Sequence, residues 1–202
     1  MSTDPLGAAL LALARHAIAA RLGQATAPFE APPLPELTAP GASFVTLTQD
    51  GVLRGCIGSL QAHRPLADDV VANALAAAFR DPRFPPLAAD ELAVTRIEVS
   101  LLAPAEPLPC ADEAEALERL RPGIDGLILS CGAQRATFLP QVWESLPQPH
   151  DFLAQLKRKA GLPADYWSPQ LKLERYRVRK WKEEATARPG AGRIESHASP
   201  RP

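Results

Sequence analysis

Residues able to do chemistry are concentrated in segment 53–60, which reads LRGCIGSL and places Arg54 two residues before Cys56. Side chains two residues apart on a β-strand leave the same face, so we expect the Arg54 guanidinium beside the Cys56 thiol. A neighbouring cation favours the thiolate, which is the nucleophilic form of cysteine. The segment thus indicates a reactive thiol. The alternative is a packed, inert cysteine, because unpaired cysteine is among the most buried residue types.

The two glycines of this segment, Gly55 and Gly58, leave room for another backbone or a ligand to approach the strand. They do not form a phosphate-binding loop, because the sequence has neither GxGxxG nor a Walker lysine. His63 lies seven residues after Cys56 and could act as a base for the thiol, but the spacing does not require it.

A second candidate is the segment 81–84, DPRF, in which a proline holds the backbone between Asp81 and Arg83. Arg83 is then either a fixed cation for an anionic ligand or one half of an internal clamp with Asp81. Glu98 lies in the middle of a predicted strand between apolar neighbours. It needs a cation such as Arg54 or Arg83 if its face is covered, and it is ordinary surface if exposed.

Composition and charge restrict the class of protein. The 202 residues carry a formal net charge of -1 and 46% hydrophobic residues, as in globular proteins that bury a core. No basic stripe with interleaved aromatics is visible, so nucleic acid is not expected as a partner. No signal peptide or membrane-length apolar run is visible either, so a cytoplasmic location is expected. The three cysteines, Cys56, Cys110 and Cys131, are odd in number, which favours a reducing cytosol over a disulfide framework. No zinc-like Cys/His spacing is present, so we predict no metal site.

The predicted elements position these candidates in an α+β fold. A helix begins after Asp4 and ends at Gly23, and Asp50-Gly51 indicates a hairpin whose second strand carries Cys56. Further predicted elements are helices from about 65 to 80 and 112 to 120, a helix capped by Asp151, and strands over 93–102, 127–131 and 171–178. From residue 183 onwards the composition predicts a disordered tail. Hairpins without strict βαβ alternation favour a mainly antiparallel sheet with flanking helices.

Six blocks in order, LRGCIGSL, NALAAAFRDPRFPPL, ELAVTRIEVSLL, RPGIDGLIL, TFLPQVW and FLAQLKRKAGL, resemble the AMMECR domain family. Its bacterial members are called AmmeMemoRadiSam system protein A. The resemblance covers residues 6–181, which implies a domain over 1–182 followed by a tail over 183–202. It implies a two-lobed α+β domain with a cleft.

The resemblance also implies a function and partners. The chain is expected to be an accessory or substrate-binding component of the AmmeMemoRadiSam system, with a MEMO-like protein and a radical SAM protein as partners. Its cleft would be centred on the RGCIG strand and the DPRF loop, and it would hold an unknown small molecule without a cofactor of its own. The expected substrate contacts are Arg54, Gly55, Gly58, Asp81, Arg83 and Glu98. The alternative is an enzyme that uses Cys56 as a nucleophile activated by Arg54.

Overall fold

The structure is a computed structural model, and it describes residues 4–25 and 27–184. Within these residues the helices are α1 (Pro5–Arg21), α2 (Pro35–Thr38), α3 (Leu66–Phe79), α4 (Glu113–Arg119) and α5 (Pro149–Lys159), with a 3-10 helix over Pro140–Glu144. The strands are β1 (Ala42–Gln49), β2 (Val52–Gly58), β3 (Thr95–Leu102), β4 (Glu106–Pro107), β5 (Gly126–Cys131), β6 (Gln134–Phe138), β7 (Lys172–Tyr176) and β8 (Val178–Lys182).

The first lobe consists of the antiparallel sheet β2-β1-β3-β8 with α1, α2 and α3. Helices α1 and α3 pack against each other and against one face of this sheet. Strand residues that alternate toward the helices, such as Val45, Leu47, Ile97 and Val99, are fully buried in a shared apolar core. The opposite face of the sheet is therefore available for polar side chains.

The second lobe consists of the antiparallel sheet β4-β7-β5-β6 with α4 and α5. Its separate core is centred on Phe152, whose ring stacks on that of Trp143 with the centroids 3.7 Å apart. The indole of Trp143 donates to the backbone oxygen of Asp125 at 2.7 Å, which satisfies its buried N–H. Together the two antiparallel sheets and their helices confirm the predicted α+β class.

The predicted ends of α1 and the predicted Asp50-Gly51 hairpin are also confirmed. Asp4 caps α1 by accepting from the backbone N–H of Leu6 at 3.1 Å, and Gly23 follows the helix with a φ of 72°. The β1–β2 hairpin turns at Asp50 and Gly51, which adopt φ values of 49° and 82°. Positive φ at both turn residues matches the twist of antiparallel strands, which explains why Asp-Gly directs this connection.

Two predictions near the ends of elements are wrong. The segment 171–178 is not one strand, because β7 ends at Tyr176 and the chain crosses to the other sheet as β8. Helix α5 begins at Pro149, so Asp151 lies in its first turn instead of capping it. A local pattern cannot reveal the crossover, since both strands are extended. Leu173 of β7 is buried in the core of the second lobe, whereas Trp181 of β8 is buried in that of the first.

The structure describes the first two residues of the predicted tail, Glu183 and Glu184. Glu183 donates its backbone N–H to Ile97 at 3.0 Å, and its carboxylate forms an ion pair with Arg15 of α1. Glu183 is thus bound to the first lobe, and the remainder of the predicted tail, residues 185–202, lies outside the described residues. None of the helices that the structure describes has the length and apolar character needed to cross a bilayer.

Candidate functional site

The candidate site is a row of side chains that crosses the face of the first sheet opposite the helices. Direct cross-strand pairing places Cys56 of β2 beside Thr46 of β1, Thr46 beside Glu98 of β3, and Glu98 beside Lys182 of β8. Directly paired residues project from the same face of a sheet. Cys56, Thr46 and Glu98 are partly exposed and Lys182 is exposed, so we call this row the open-face row.

The thiol of Cys56 belongs to this row and is partly exposed. The hydroxyl of Thr46 donates to Cys56 Sγ at 3.3 Å. Such a donor lies where it would stabilise negative charge on sulfur. The structure therefore does not bury Cys56 in the helix-facing core, which was the alternative that its residue type favoured.

Gly55 occupies the position that faces the helices. A Cβ at Gly55 would overlap the backbone oxygen of Ala77 in α3, so the glycine is required for the close packing of β2 against this helix. Gly58 has an equivalent role near the end of the strand, because a Cβ there would overlap the ring of Phe44. Both glycines permit packing within the first lobe.

The prediction that Arg54 and Cys56 share one face is wrong, because a β-bulge falls between them. Thr48 pairs with Leu53 and Leu47 pairs with Gly55, which leaves Arg54 as an extra residue without a partner on β1. An extra residue breaks the alternation of side chains and shifts the register. Beyond the bulge Gly55 faces the core, and Cys56 reaches the open face.

The guanidinium of Arg54 forms a two-pronged ion pair with Glu91. Its Nε and Nη2 atoms donate to the two carboxylate oxygens, each at 2.9 Å, while Nη1 donates to the backbone oxygen of Pro85. Glu91 also accepts from Gln49 Nε2, which donates in turn to the buried Thr95. Arg54 is therefore committed to a structural contact on the helix side of the sheet. The hydrogen bonds from Arg54 lower the pKa of Glu91 to about 2.

Asp81 and Arg83 form an internal clamp at the edge of β2. Asp81 is buried and accepts from Arg83 Nε at 2.9 Å, Arg83 Nη2 at 2.7 Å and the backbone N–H of Arg83 at 3.1 Å. It also accepts from the backbone N–H of Cys56 at 2.9 Å. The hydrogen bonds from Arg83 hold the pKa of the Asp81 carboxyl well below its usual range. The clamp fixes the DPRF loop and the edge of the Cys56 strand together.

The same clamp presents a cation beside Cys56. Arg83 Nη2 donates to the backbone oxygen of Cys56 at 3.2 Å, while 53% of the Arg83 side chain stays exposed. The hydrogen bonds to Asp81 are the main reason that the pKa of Arg83 is raised, and its interaction with Cys56 adds to the effect. Arg83, and not Arg54, is therefore the arginine that contacts Cys56, through its backbone oxygen.

A second buried carboxylate, Asp69, holds the C-terminal end of the segment that carries Cys56. Asp69 of α3 is fully buried and accepts from the hydroxyls of Ser43 and Ser59, each at 2.7 Å, and from Arg64 Nε at 2.9 Å. Ser59 directly follows β2, so Asp69 holds the end of this strand while Asp81 binds the strand at Cys56 itself. His63 lies in the loop between Ser59 and Arg64, and it is exposed.

Glu98 has a carboxylate with no hydrogen bond or ion pair to any residue in the described part of the chain, although Lys182 lies directly opposite. Within the same residues no group of three His, Cys, Asp or Glu side chains is placed to hold a metal ion. The row therefore offers a thiol, a hydroxyl, a carboxylate and an ammonium group on one accessible surface.

The groove between the two lobes does not include the open-face row. It has a volume of about 550 Å³ and is lined by Leu102 of β3, Ile128 of β5 and Tyr176 of β7, among other residues. The seven residues that the sequence proposed as site residues are absent from its lining. The open-face row and the interlobe groove are thus separate features of the molecule.

Sequence reasoning missed Thr46 and Lys182 in the row and Glu91 as the partner of Arg54. Counting back from the Asp50-Gly51 turn without a bulge pairs Cys56 with Val45, which is a core position. The shift of one residue moves Cys56 to the other face. A glycine at position 55, flanked by a long polar side chain, was the available signal for an irregular strand.

Comparison with known proteins agrees with this architecture. The AMMECR1 family profile matches residues 11–181. A protein of Thermococcus gammatolerans is 39% identical over 194 residues, covering 90% of this chain and 92% of its own, and one of Methanothermobacter thermautotrophicus is 40% identical over 147 residues, covering 70% and 74%. The crystal structure of the uncharacterised protein PH0010 from Pyrococcus horikoshii aligns with a TM-score of 0.77 at 34% identity, covering 90% of this chain and 93% of PH0010. The chain therefore belongs to the AMMECR1 family.

Proposed function

We propose that this protein is a substrate-binding component of an AmmeMemoRadiSam system, and that it holds a small anionic molecule on the open-face row. The observation that carries the proposal is the placement of Arg83. A buried carboxylate, Asp81, orients the guanidinium, yet half of the Arg83 side chain remains exposed beside Cys56. Asp81 and the Cys56 backbone occupy Nε and Nη2, and Nη1 donates to no residue in the described part of the chain. Nη1 is therefore the group that would donate a charge-assisted hydrogen bond to a carboxylate or phosphate oxygen of the ligand.

The rest of the row supports a ligand with several polar groups. Three strand spacings of about 4.8 Å separate Cys56 from Lys182, so the row is about 14 Å long. Arg83 marks one end and Lys182 the other, while Thr46 and Glu98 offer a donor and an acceptor between them. A small metabolite-sized anion would span this distance with its charge at the Arg83 end.

The partners follow from the family resemblance. A MEMO-like protein and a radical SAM protein are proposed to carry out the metal or radical step, and this chain to supply or receive the molecule concerned. The test is to co-express the chain with both partners, purify the complex, and identify bound small molecules by mass spectrometry. We expect Arg83→Gln to lose the bound molecule. Arg158→Gln, a change at an exposed arginine of α5, should retain it.

The binding role fails if wild-type protein carries no small molecule and Arg83→Gln supports the pathway as well as wild type. It also fails if Arg83→Gln and Arg158→Gln retain the same molecule equally. Circular dichroism of both variants separates loss of binding from loss of folding.

A second candidate is a thiol-dependent enzyme with Cys56 as nucleophile. The hydrogen bond from Thr46 and the cation of Arg83 favour it, since both stabilise a thiolate. Arg83 would then have the activating role first expected of Arg54. Cys56→Ser and Cys56→Ala, with Cys110→Ser as the matched control, distinguish the candidates. Full pathway activity in both Cys56 variants would eliminate the enzyme and leave the binding role.

Alkylation by iodoacetamide provides an independent measurement. A nucleophilic Cys56 should react faster with iodoacetamide in the native protein than in the urea-unfolded chain at the same pH. Peptide mass spectrometry assigns the rate to Cys56 rather than to Cys110 or Cys131. A native rate no higher than the unfolded rate would remove the argument for activation.

A further inference from the structure

The interlobe groove has the dimensions and walls of a small-molecule site. Its volume of about 550 Å³ is well within the range of about 300–1,000 Å³ that ligand pockets usually have. It opens where β1 begins and β3 ends, so the two lobes contribute opposite walls. Such junctions between lobes are preferred places for ligand sites.

The walls of the groove are mainly apolar. The first lobe contributes Leu60, Leu101 and Leu102, and the second lobe contributes Ile128 and the ring of Tyr176. Leu60 is 46% exposed although it is a large apolar residue, so a ligand that covered it would remove apolar surface from water.

The hydroxyl of Tyr176 is already committed inside the second lobe. It lies 3.0 Å from Thr137 Oγ1 and donates to the backbone oxygen of Phe138 at 3.1 Å. Burial raises the pKa of Tyr176 to about 12. The ring is thereby held as an apolar wall, and the hydroxyl is not available to a ligand.

The charged residues of the lining are not equivalent. Arg179 is paired with Asp4 at 2.8 Å and packs over the ring of Trp181. Arg135 of β6 is exposed, and among residues 4–25 and 27–184 it has no ion pair or side-chain hydrogen bond. Glu36 of α2 lies in the lining on the opposite lobe. The free cation therefore belongs to the second lobe and the carboxylate to the first.

We propose that the interlobe groove binds an amphipathic monoanion, a molecule with an apolar chain and one carboxylate group. The chain would lie between Leu60, Leu102 and Ile128, and the carboxylate would face Arg135, away from Glu36. This site goes beyond the proposed function, because it is separate from Arg83 and the open-face row.

The probe is decanoate below its micelle concentration, titrated into the full chain by calorimetry, with amide chemical shifts recorded by NMR. Decyltrimethylammonium carries a similar chain with the opposite charge. We expect saturable decanoate binding, with shifts at Leu60, Leu102 and Ile128, and clearly weaker binding of the cation. Arg135→Gln should weaken decanoate binding about tenfold, as expected for loss of a charged hydrogen bond.

Two further variants report on the apolar wall and on orientation. Leu60→Asp should abolish decanoate binding by placing a carboxylate in the groove. Ile124→Asp is its matched control, because Ile124 is 51% exposed and lies outside the groove lining. Glu36→Gln should strengthen decanoate binding, since it removes the like charge from the lining.

The proposal is overturned if wild-type protein shows no saturable decanoate binding, if decyltrimethylammonium binds as tightly, or if Arg135→Gln and Arg158→Gln have equal affinity. It is also overturned if the protein dimerises through the groove and excludes decanoate. None of these outcomes depends on Arg83. Conversely, Arg135→Gln should leave Cys56 alkylation unchanged, so this site and the proposed function can fail separately.

Discussion

Replacing Asp81 by Asn tests whether one buried carboxylate holds the candidate site together. Each oxygen of Asp81 accepts two N–H donors. Oδ2 accepts from the backbone of Cys56 and from Arg83 Nη2, while Oδ1 accepts from the backbone and Nε of Arg83. An asparagine provides only one oxygen, so in either orientation its NH₂ group faces two donors.

The expected loss can be bounded from this geometry. Breaking a buried ion pair by changing one partner costs about 3–5 kcal/mol. Because the Arg83 side chain is half exposed, water can solvate its guanidinium once the carboxylate is gone. We therefore expect the lower end of that range, about 3 kcal/mol, which is a large fraction of the stability of a typical domain.

The assay is urea unfolding followed by tryptophan fluorescence, in a double-mutant cycle with Arg83→Gln. In wild type, Arg83→Gln should destabilise the protein, while in Asp81→Asn it should add little, giving a coupling energy of at least about 1.5 kcal/mol. Asp125→Asn is the matched control. Asp125 is also fully buried and paired with an arginine, Arg121, but it lies in the second lobe. Arg83→Gln should keep its full effect in that background.

The pH dependence of the free energy of unfolding is a second test of the Asp81–Arg83 clamp. Because the folded pKa of Asp81 lies below its ordinary value of about 3.9, its contribution is fully present above that pH and is lost as the pH falls through the folded pKa. The stability difference between wild type and Asp81→Asn should therefore stay constant from pH 7 to about pH 5. Additive effects of Asp81→Asn and Arg83→Gln, or a difference that shrinks within that interval, would refute the clamp.

Three further predictions concern neighbouring contacts. Gly55→Ala should destabilise the protein by about 1–3 kcal/mol in urea unfolding, because its methyl group would overlap a carbonyl of α3; unchanged stability would contradict this packing. Glu91→Gln should lower stability most above about pH 4.5, and the difference should disappear as the pH falls toward 2, since Arg54 holds the pKa of Glu91 at about 2; a pH-independent difference would exclude this cause. Thr46→Val should slow alkylation of Cys56 while changing stability by less than about 1 kcal/mol, and an unchanged rate would show that the hydroxyl does not assist the thiolate.

Local signals in the sequence were sufficient for much of the fold. The cap at Asp4, the Asp-Gly turn and the alternation of Ile97 and Val99 each depend on a few consecutive residues, and the structure confirms them. The crossover after Tyr176 could not be predicted in this way. Strands β7 and β8 join different sheets, and pairing partners distant in the chain decide that outcome.

The candidate site was likewise predictable only in part from the sequence. The sequence by itself determined the resemblance to the AMMECR family, and it singled out Arg54, Cys56, Asp81 and Arg83 as candidates. Only the tertiary structure decided which arginine contacts Cys56. A single bulged residue reverses the faces of β2, and the DPRF loop approaches that strand from 25 residues further along the chain. Register and loop docking depend on long-range packing, which a local pattern of residues does not encode.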